Sequence, residues 1–283
     1  MTHNKRSGSA SFRMHPMIST TGEFAGNVAI VTGAGGGLGS AIAFGLIEAG
    51  ANVVWLGRRK RALMRQLTLL KDGRERSLVI AADVRSEGEV RDAVRATIRH
   101  FGKVDILVNN AGARGPTEPL IRVSRRAWQE VLETNLTGPF LFSRECLKHM
   151  ERRRKGSIVN ISSVVGHWAY PLRAPYAASK AGLISLTLSL AEEAGAANVR
   201  VNAICPGPVE GKAVEQVLGA RAMALGISIE KMRQRFVRPA ALGRMVTPED
   251  VRNVVLFLCS KGASNITGQV IDVSAGFGLW PRM

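Results

Sequence analysis

Val28-Ala-Ile-Val-Thr-Gly-Ala-Gly-Gly-Gly-Leu-Gly39 is the stretch whose reading decides the fold. Its first four residues are apolar and mostly β-branched, with no polar alternation to mark a solvent face, which is the pattern of a strand buried on both sides. The run passes directly into a glycine turn from Thr32 to Gly39 and then into a stretch of helical character from Ser40 to Ala49. Strand, glycine turn and helix in that order suit a pyrophosphate. Glycines let the chain turn tightly, let a phosphate approach the backbone and let the helix pack on the strand, while N–H groups at the helix N-terminus face the anion. Gly33, Gly36, Gly37, Leu38 and Gly39 are the expected contacts.

Working outward, further apolar runs at 52–56, 78–81, 106–108, 157–161, 199–204 and 270–273 alternate with helical segments. This predicts an α/β, Rossmann-like, doubly wound fold: a mainly seven-stranded parallel sheet with helices on both faces. A chain of 283 residues that is 46% apolar can bury a full core, and the alternation leaves no linker at which to divide it. Residues 24–283 are expected to form one catalytic domain, preceded by a loose basic tail, 1–23, that carries Lys5, Arg6 and Arg13 and lacks the apolar centre of a signal peptide. Ligands should lie at the carboxyl ends of the strands, where the glycine turn, Asn110, Ser163 and Pro206 fall.

Tyr176-Ala-Ala-Ser-Lys180 puts a phenol and an ammonium four residues apart, on one face of a helix. A cation held near a phenol favours the phenolate, so the tyrosine becomes a usable acid and base. Ser163, at the end of the strand 157–161, is placed to hydrogen-bond the oxygen of a carbonyl or alcohol while the tyrosine exchanges its proton.

With the glycine turn, Ala82-Asp83-Val84, Asn109-Asn110-Ala111-Gly112, Asn135 in Glu-Thr-Asn-Leu, Ser163, Tyr176, Lys180 and Cys205-Pro206-Gly207 all in order, the chain resembles the single-domain short-chain dehydrogenases/reductases from about Phe24 to Gly278. The resemblance implies a catalytic set of Asn135, Ser163, Tyr176 and Lys180, with Asn135 acting through its helix and a proton-relaying water. It implies that Asp83 and Val84 flank the adenine, that Asn110 and Gly112 lie beside the nicotinamide ribose with Tyr176 and Lys180, and that Pro206, Gly207 and Val209 run along the nicotinamide ring. Asn109 and Asn110 also read as ties between strands, and Pro206-Gly207 also reads as a strand end.

The net charge is +17 and the isoelectric point about 10.9. Basic runs at 58–61, 74–76, 122–126 and 152–155 fall in different connections, and only 5% of the chain is aromatic, so a solvated arginine-rich surface is expected rather than a specific nucleic-acid partner. Arg58, with Arg59, stands just past the second strand, where the resemblance places the adenosine ribose. Gly57 occupies the position at which NAD-preferring relatives carry aspartate. Arg58 and Arg59 therefore point to NADP(H) over NAD(H), through charge-assisted bonds to the 2′-phosphate, although Gly36 stands where many NADP-preferring relatives add a basic residue.

Residues 207–245 are expected to close over the site as a lid, with Val214, Val217, Leu218, Leu225, Ile227, Met232 and Phe236 toward a pocket or toward helical core, and Arg221, Arg233, Arg235 and Arg238 toward water or an acid group. His167, Trp168 and Tyr170 are expected in the pocket wall. The family threonine past Pro-Gly is absent from Pro206-Gly-Pro-Val-Glu-Gly211. Cys146, Cys205 and Cys259 have no metal-like spacing and read as buried, reduced thiols. No metal and no membrane span are expected, and the setting is cytoplasmic. The family implies a homo-oligomer, tetramer or dimer, through the helices of Asn135 and Leu183–Leu190. The expected activity is ketone–secondary alcohol interconversion on a largely apolar substrate, cyclic ones included. The alternatives are a 3-oxoacyl thioester reductase, with 152–155 as the docking run for its carrier, and a non-catalytic dinucleotide-binding regulatory protein.

Overall fold

The computed structural model describes residues 22–278 apart from Ala169. Most of the N-terminal tail, with Lys5, Arg6 and Arg13, lies outside the described residues. Seven parallel strands form one sheet in the order β3-β2-β1-β4-β5-β6-β7. They are β1 (Val28–Thr32), β2 (Asn52–Gly57), β3 (Ser77–Ala81), β4 (Ile106–Asn109), β5 (Gly156–Ile161), β6 (Val199–Pro206) and β7 (Val270–Val273). Each predicted strand is present within a residue or two of its expected ends. The order reverses between β1 and β4, and this is where a doubly wound sheet opens a crevice for ligands.

Alternate residues of each central strand feed opposite cores. Ala29, Val31, Val53, Trp55, Ile106 and Val108 pack on one face with α1 (Gly37–Glu48), α2 (Lys60–Leu67) and α9 (Pro248–Cys259). Ile30, Val54, Leu56, Leu107 and Ile158 pack on the other, under α3 (Glu87–Phe101), α5 (Gly138–Met150) and α6 (Ala174–Gly195). Both faces are therefore covered, and the strands need no polar side.

Local signals start and stop the helices. Ser86 caps α3 by accepting from the Glu89 N–H, and Gly102, at φ +79°, ends it. Thr247 and Asp250 form a reciprocal capping box on α9. Helix α1 departs from expectation. It starts at Gly37 rather than Ser40, inside the glycine run, because glycine lowers helix propensity without forbidding the helix and nothing else stops it there. The early start aims the first N–H groups of α1 at the turn.

The short α4 (Arg125–Leu132) continues through a widened π-helical turn, Glu133–Thr137, into α5. The lid contains α7 (Lys212–Ala224) and α8 (Ile229–Val237), and a bridge between Val209 and Val246 fastens its base.

At the opposite end of the sheet, buried Asp105 accepts from the Val28 N–H at 2.9 Å and pairs with Arg153 at 2.8 Å and Lys103 at 3.2 Å. Burial alone would push its pKa up, but these donors more than offset that and hold it below the ordinary value. Arg153 is thus tied into the fold, and Arg154 bonds the Ala196 carbonyl. The 152–155 run stands at the start of β5 while the site lies past its end, about 17 Å away for a strand of this length.

Candidate active site

The carboxyl ends of β4, β5 and β6, with Leu38 of α1, border a cavity of about 290 Å³. Leu38, Asn110, Gly112, Ser163, Tyr176, Lys180 and the 206–209 strip all line it, so residues far apart in sequence meet as expected.

Arg173 precedes α6, Pro175 occupies its first turn, and Tyr176 and Lys180 lie one turn apart on the cavity side. The Lys180 Nζ donates to the Ile161 carbonyl at 2.7 Å, and the Ser162 hydroxyl donates to the Lys180 carbonyl at 2.8 Å. The end of β5 and the start of α6 are thereby locked together. Ser163 accepts from the Val165 N–H at 3.3 Å, which fixes its side chain as the chain leaves the sheet.

Lys180 faces the Tyr176 ring across the cavity. Its Nζ is 5.7 Å from the Tyr176 ring centroid, and burial pushes its own pKa down to about 8. Burial raises the Tyr176 pKa; the hydrogen bond with Ser163 and the positive charges of Arg173 and Arg114 oppose the rise. The two arginines went unremarked in the sequence, although Arg173 precedes Tyr176 by one helical step.

Asn135 is fully buried in the π-helical turn. It accepts from the Ala113 N–H at 2.7 Å and donates to the Ala113 carbonyl at 2.9 Å and to Ser179 at 3.0 Å. Ser179 donates in turn to the Tyr176 carbonyl at 2.8 Å. The asparagine therefore couples the segment after β4 to the first turn of α6. A π-turn at such a position is a common way to aim a functional side chain.

The glycine turn fits a pyrophosphate. A Cβ on Gly39 would collide with the Gly33 carbonyl and the Asn110 amide, whereas Gly36 and Gly37, at φ +154° and +57°, have nothing within 4 Å of that position. The backbone is therefore packed tightly on its inner side and open on its outer side, beside the N-terminus of α1. Asn110 is a strand tie as well, since its amide donates to the Thr32 carbonyl and its N–H to the Thr32 hydroxyl, each at 2.9 Å. Asn109 bonds Asn160 and Ser143 within the core.

Asp83 is held by Arg85, whose guanidinium approaches to 2.6 Å and keeps the carboxyl pKa low, with a smaller contribution from the charge of Arg58. Val84 is buried beside it. Arg58 and Arg59 are exposed at the end of β2, and no ion pair involves Arg58 among the described residues.

Other expectations need correction. Tyr170 lines the cavity, but His167 turns to Asp272 at 3.3 Å, and Trp168 is exposed and lies against Gly278. Val214, Val217 and Phe236 line the cavity and also pack with Leu218 and Met232 in the core of the lid, while Leu225 is exposed. This lid core exists because α7 and α8 cover each other before they cover the site. Arg233 pairs with Glu215, and Arg221 lies over the Tyr170 ring. Cys205 does approach His167 and Asp272, with ligand atoms within 4.8 Å, but burial pushes its thiol up to about 11. No helix among the described residues is long and apolar enough to cross a membrane.

A family model described as enoyl-(acyl carrier protein) reductase matches residues 33–278. The 3-oxoacyl-[acyl-carrier-protein] reductase FabG of Aquifex aeolicus is 39% identical over 258 residues, covering 89% of this chain and 97% of the relative. Among solved structures, an actinorhodin polyketide ketoreductase with NADPH superposes with a TM-score of 0.85 at 35% identity, over 90% of this chain and 98% of that one. An NAD⁺-bound xylitol dehydrogenase gives 0.84 at 31% identity, over 88% and 98%. A sheet of this order, with the glycine turn at its first strand and the serine, tyrosine and lysine at its crevice, agrees with all of these matches: the chain belongs to the short-chain dehydrogenase/reductase family.

Proposed function

We propose that this protein is an NADP(H)-preferring ketone reductase or secondary-alcohol dehydrogenase acting on a largely apolar substrate, cyclic ones included, as a cytoplasmic homodimer or homotetramer of single-domain subunits. One observation carries the reading: Ser163, Tyr176 and Lys180 meet in a single cavity with the 206–209 strip and with the segment that Asn135 clamps. The dinucleotide would be held at the glycine turn, at Asp83 and Val84, at Asn110 and Gly112, and at Pro206, Gly207 and Val209. When bound, the nicotinamide supplies or accepts a hydride.

The chain supplies the rest. Ser163 donates to the oxygen of the carbonyl and holds it against the Tyr176 hydroxyl. Tyr176 gives that oxygen its proton during reduction and takes it back during oxidation. Lys180, with one N–H committed to Ile161, keeps further donors for the ribose hydroxyls and for the proton path. Asn135 holds Ala113 from both sides and so keeps the wall of the cavity in register with Tyr176. Arg58, exposed and in no ion pair among the described residues, favours the 2′-phosphate of NADP(H).

The test is consumption of NADPH and NADH, followed by absorbance, against a panel of ketones, cyclic ketones, sugars and 3-oxoacyl thioesters. Turnover of ketones with NADPH supports the reading. Turnover confined to 3-oxoacyl thioesters favours the second reading, a 3-oxoacyl reductase, for which the similarity to FabG speaks. No turnover across the panel favours a dinucleotide-binding regulatory protein.

A further inference from the structure

Arg173 forms part of the cavity wall, yet only 4% of it is exposed. Its guanidinium carbon lies 4.9 Å from the Tyr176 ring centroid, and its Nη1 donates to the Thr117 hydroxyl at 3.2 Å. No salt bridge satisfies it among the described residues, and no Asp or Glu lines the cavity. Arg114 lines the same wall, and the charges of Arg114 and Arg221 both reach Arg173. Burial and these like charges hold its pKa below the ordinary arginine value. A guanidinium with five donors, partnered by one hydroxyl and the Tyr176 ring and faced by cationic neighbours, is in a setting that an anion at the cavity would favour.

We infer that Arg173, with Arg114 beside it, is an anion subsite, and that the substrate carries a carboxylate in addition to its reacting carbonyl or alcohol. The inference rests on the proposed reductase reading and adds the substrate class. A carboxylate matches the planar fork of a guanidinium with two parallel hydrogen bonds, a geometry that only arginine offers. The cofactor's phosphates do not fill this role, because their cradle is the glycine turn at Thr32–Gly39 while Arg173 neighbours Thr117 and Tyr176. The apolar lining from Val214, Val217 and Phe236 then accepts the body of the substrate, with the acid group at one end.

The experiment is calorimetric titration of cofactor-saturated protein with cyclohexanecarboxylate and with cyclohexanecarboxamide, which share a shape and differ in charge. The wild type should bind the carboxylate about tenfold or more tightly than the amide, as expected for a charge-assisted bidentate pair. Arg173→Gln should remove that preference and Arg173→Lys should keep part of it, with folding checked by circular dichroism. Equal binding of the two ligands, or binding of neither, by the wild type overturns the inference whether or not the variants fold. So does an Arg173→Gln variant that weakens both ligands alike, since that is the signature of a merely structural arginine. Reduction of cyclohexanone and of an oxocyclohexanecarboxylate is measured in parallel. Equal efficiency on both removes the carboxylate subsite and leaves the reductase standing. Absence of any turnover counts against the reductase, while the titration still decides the subsite.

Discussion

The Lys180 ammonium is fixed by the Ile161 carbonyl at 2.7 Å, so the last residue of β5, and not the Tyr176 phenol, sets its position. Burial lowers its pKa from 10.5 to about 8, a difference worth about 3 kcal/mol at the usual conversion. At neutral pH both folded and unfolded chains hold this proton, and the folded state bears the cost of the buried charge. Between about pH 8 and 10.5 the folded state gives up the proton first; the unfolded chain then binds more protons, and stability rises with pH. Chemical denaturation at neutral and alkaline pH should therefore show the wild type gaining on Lys180→Met by up to about 3 kcal/mol across that window. A difference that stays flat would show that the ammonium is not desolvated.

Tyr176→Phe should cut kcat by about two to four orders of magnitude, the usual contribution of a positioned acid–base group, while cofactor affinity stays nearly unchanged because the ring still packs. Lys180→Ala should lose both turnover and cofactor affinity, since it removes the donor to Ile161 along with those left for the ribose. Steady-state rates together with fluorescence titration of the cofactor separate the two effects. Substantial reductase rate in the tyrosine variant at neutral pH would remove the phenol from the mechanism.

The continuous apolar runs made all seven strands legible, because a strand buried on both faces has no polar alternation to obscure it. Ser163, Tyr176, Lys180 and the glycine turn were legible for a related reason: their chemistry needs particular residue types at fixed spacings. The early start of α1 at Gly37 was hidden, since glycine in a first turn reads as loop. That Val214 serves both the cavity and the lid core while Leu218 serves the core alone was hidden too, because amphipathic spacing does not say which neighbour an apolar face meets. Arg173 was the hardest case. It is one of 39 basic residues, a type usually found exposed, and only the packing of Thr117 and Tyr176 around it shows that it is buried.

Two glycines of similar appearance in sequence should behave in opposite ways. Gly39→Ala places a methyl group against the Gly33 carbonyl and the Asn110 amide, so the turn must open. Loss of about 1–3 kcal/mol is expected from overpacking at this point, together with weakened dinucleotide binding. Gly195→Ala, at the end of α6, meets nothing within 4 Å and has no left-handed backbone to strain. It should stabilise by about 0.5–1 kcal/mol through reduced entropy of the unfolded chain. Thermal melting of both variants with and without cofactor decides this, and equal effects would mean that the turn is not packed as described.

Cofactor choice gives the last test. Arg58 is exposed at the end of β2, beside half-buried Gly57, and its charge is felt at Asp83, which Arg85 already neutralises. Arg58 is therefore free to meet a further anion at the place where the adenosine ribose is expected. Replacing it by alanine removes that cation and leaves the cavity around Tyr176 untouched. A charge-assisted hydrogen bond of this kind is worth about 1.5–3 kcal/mol, or about ten- to a hundredfold in affinity. NADPH should weaken by that factor and NADH should barely change. If Arg58 belongs only to the solvated basic run 58–61, both cofactors should shift alike and slightly, as expected of a surface charge screened by salt. Dissociation constants for both cofactors, on wild type and on Arg58→Ala, separate the two cases. A wild type that already favours NADH would show that this arginine does not read the 2′-phosphate.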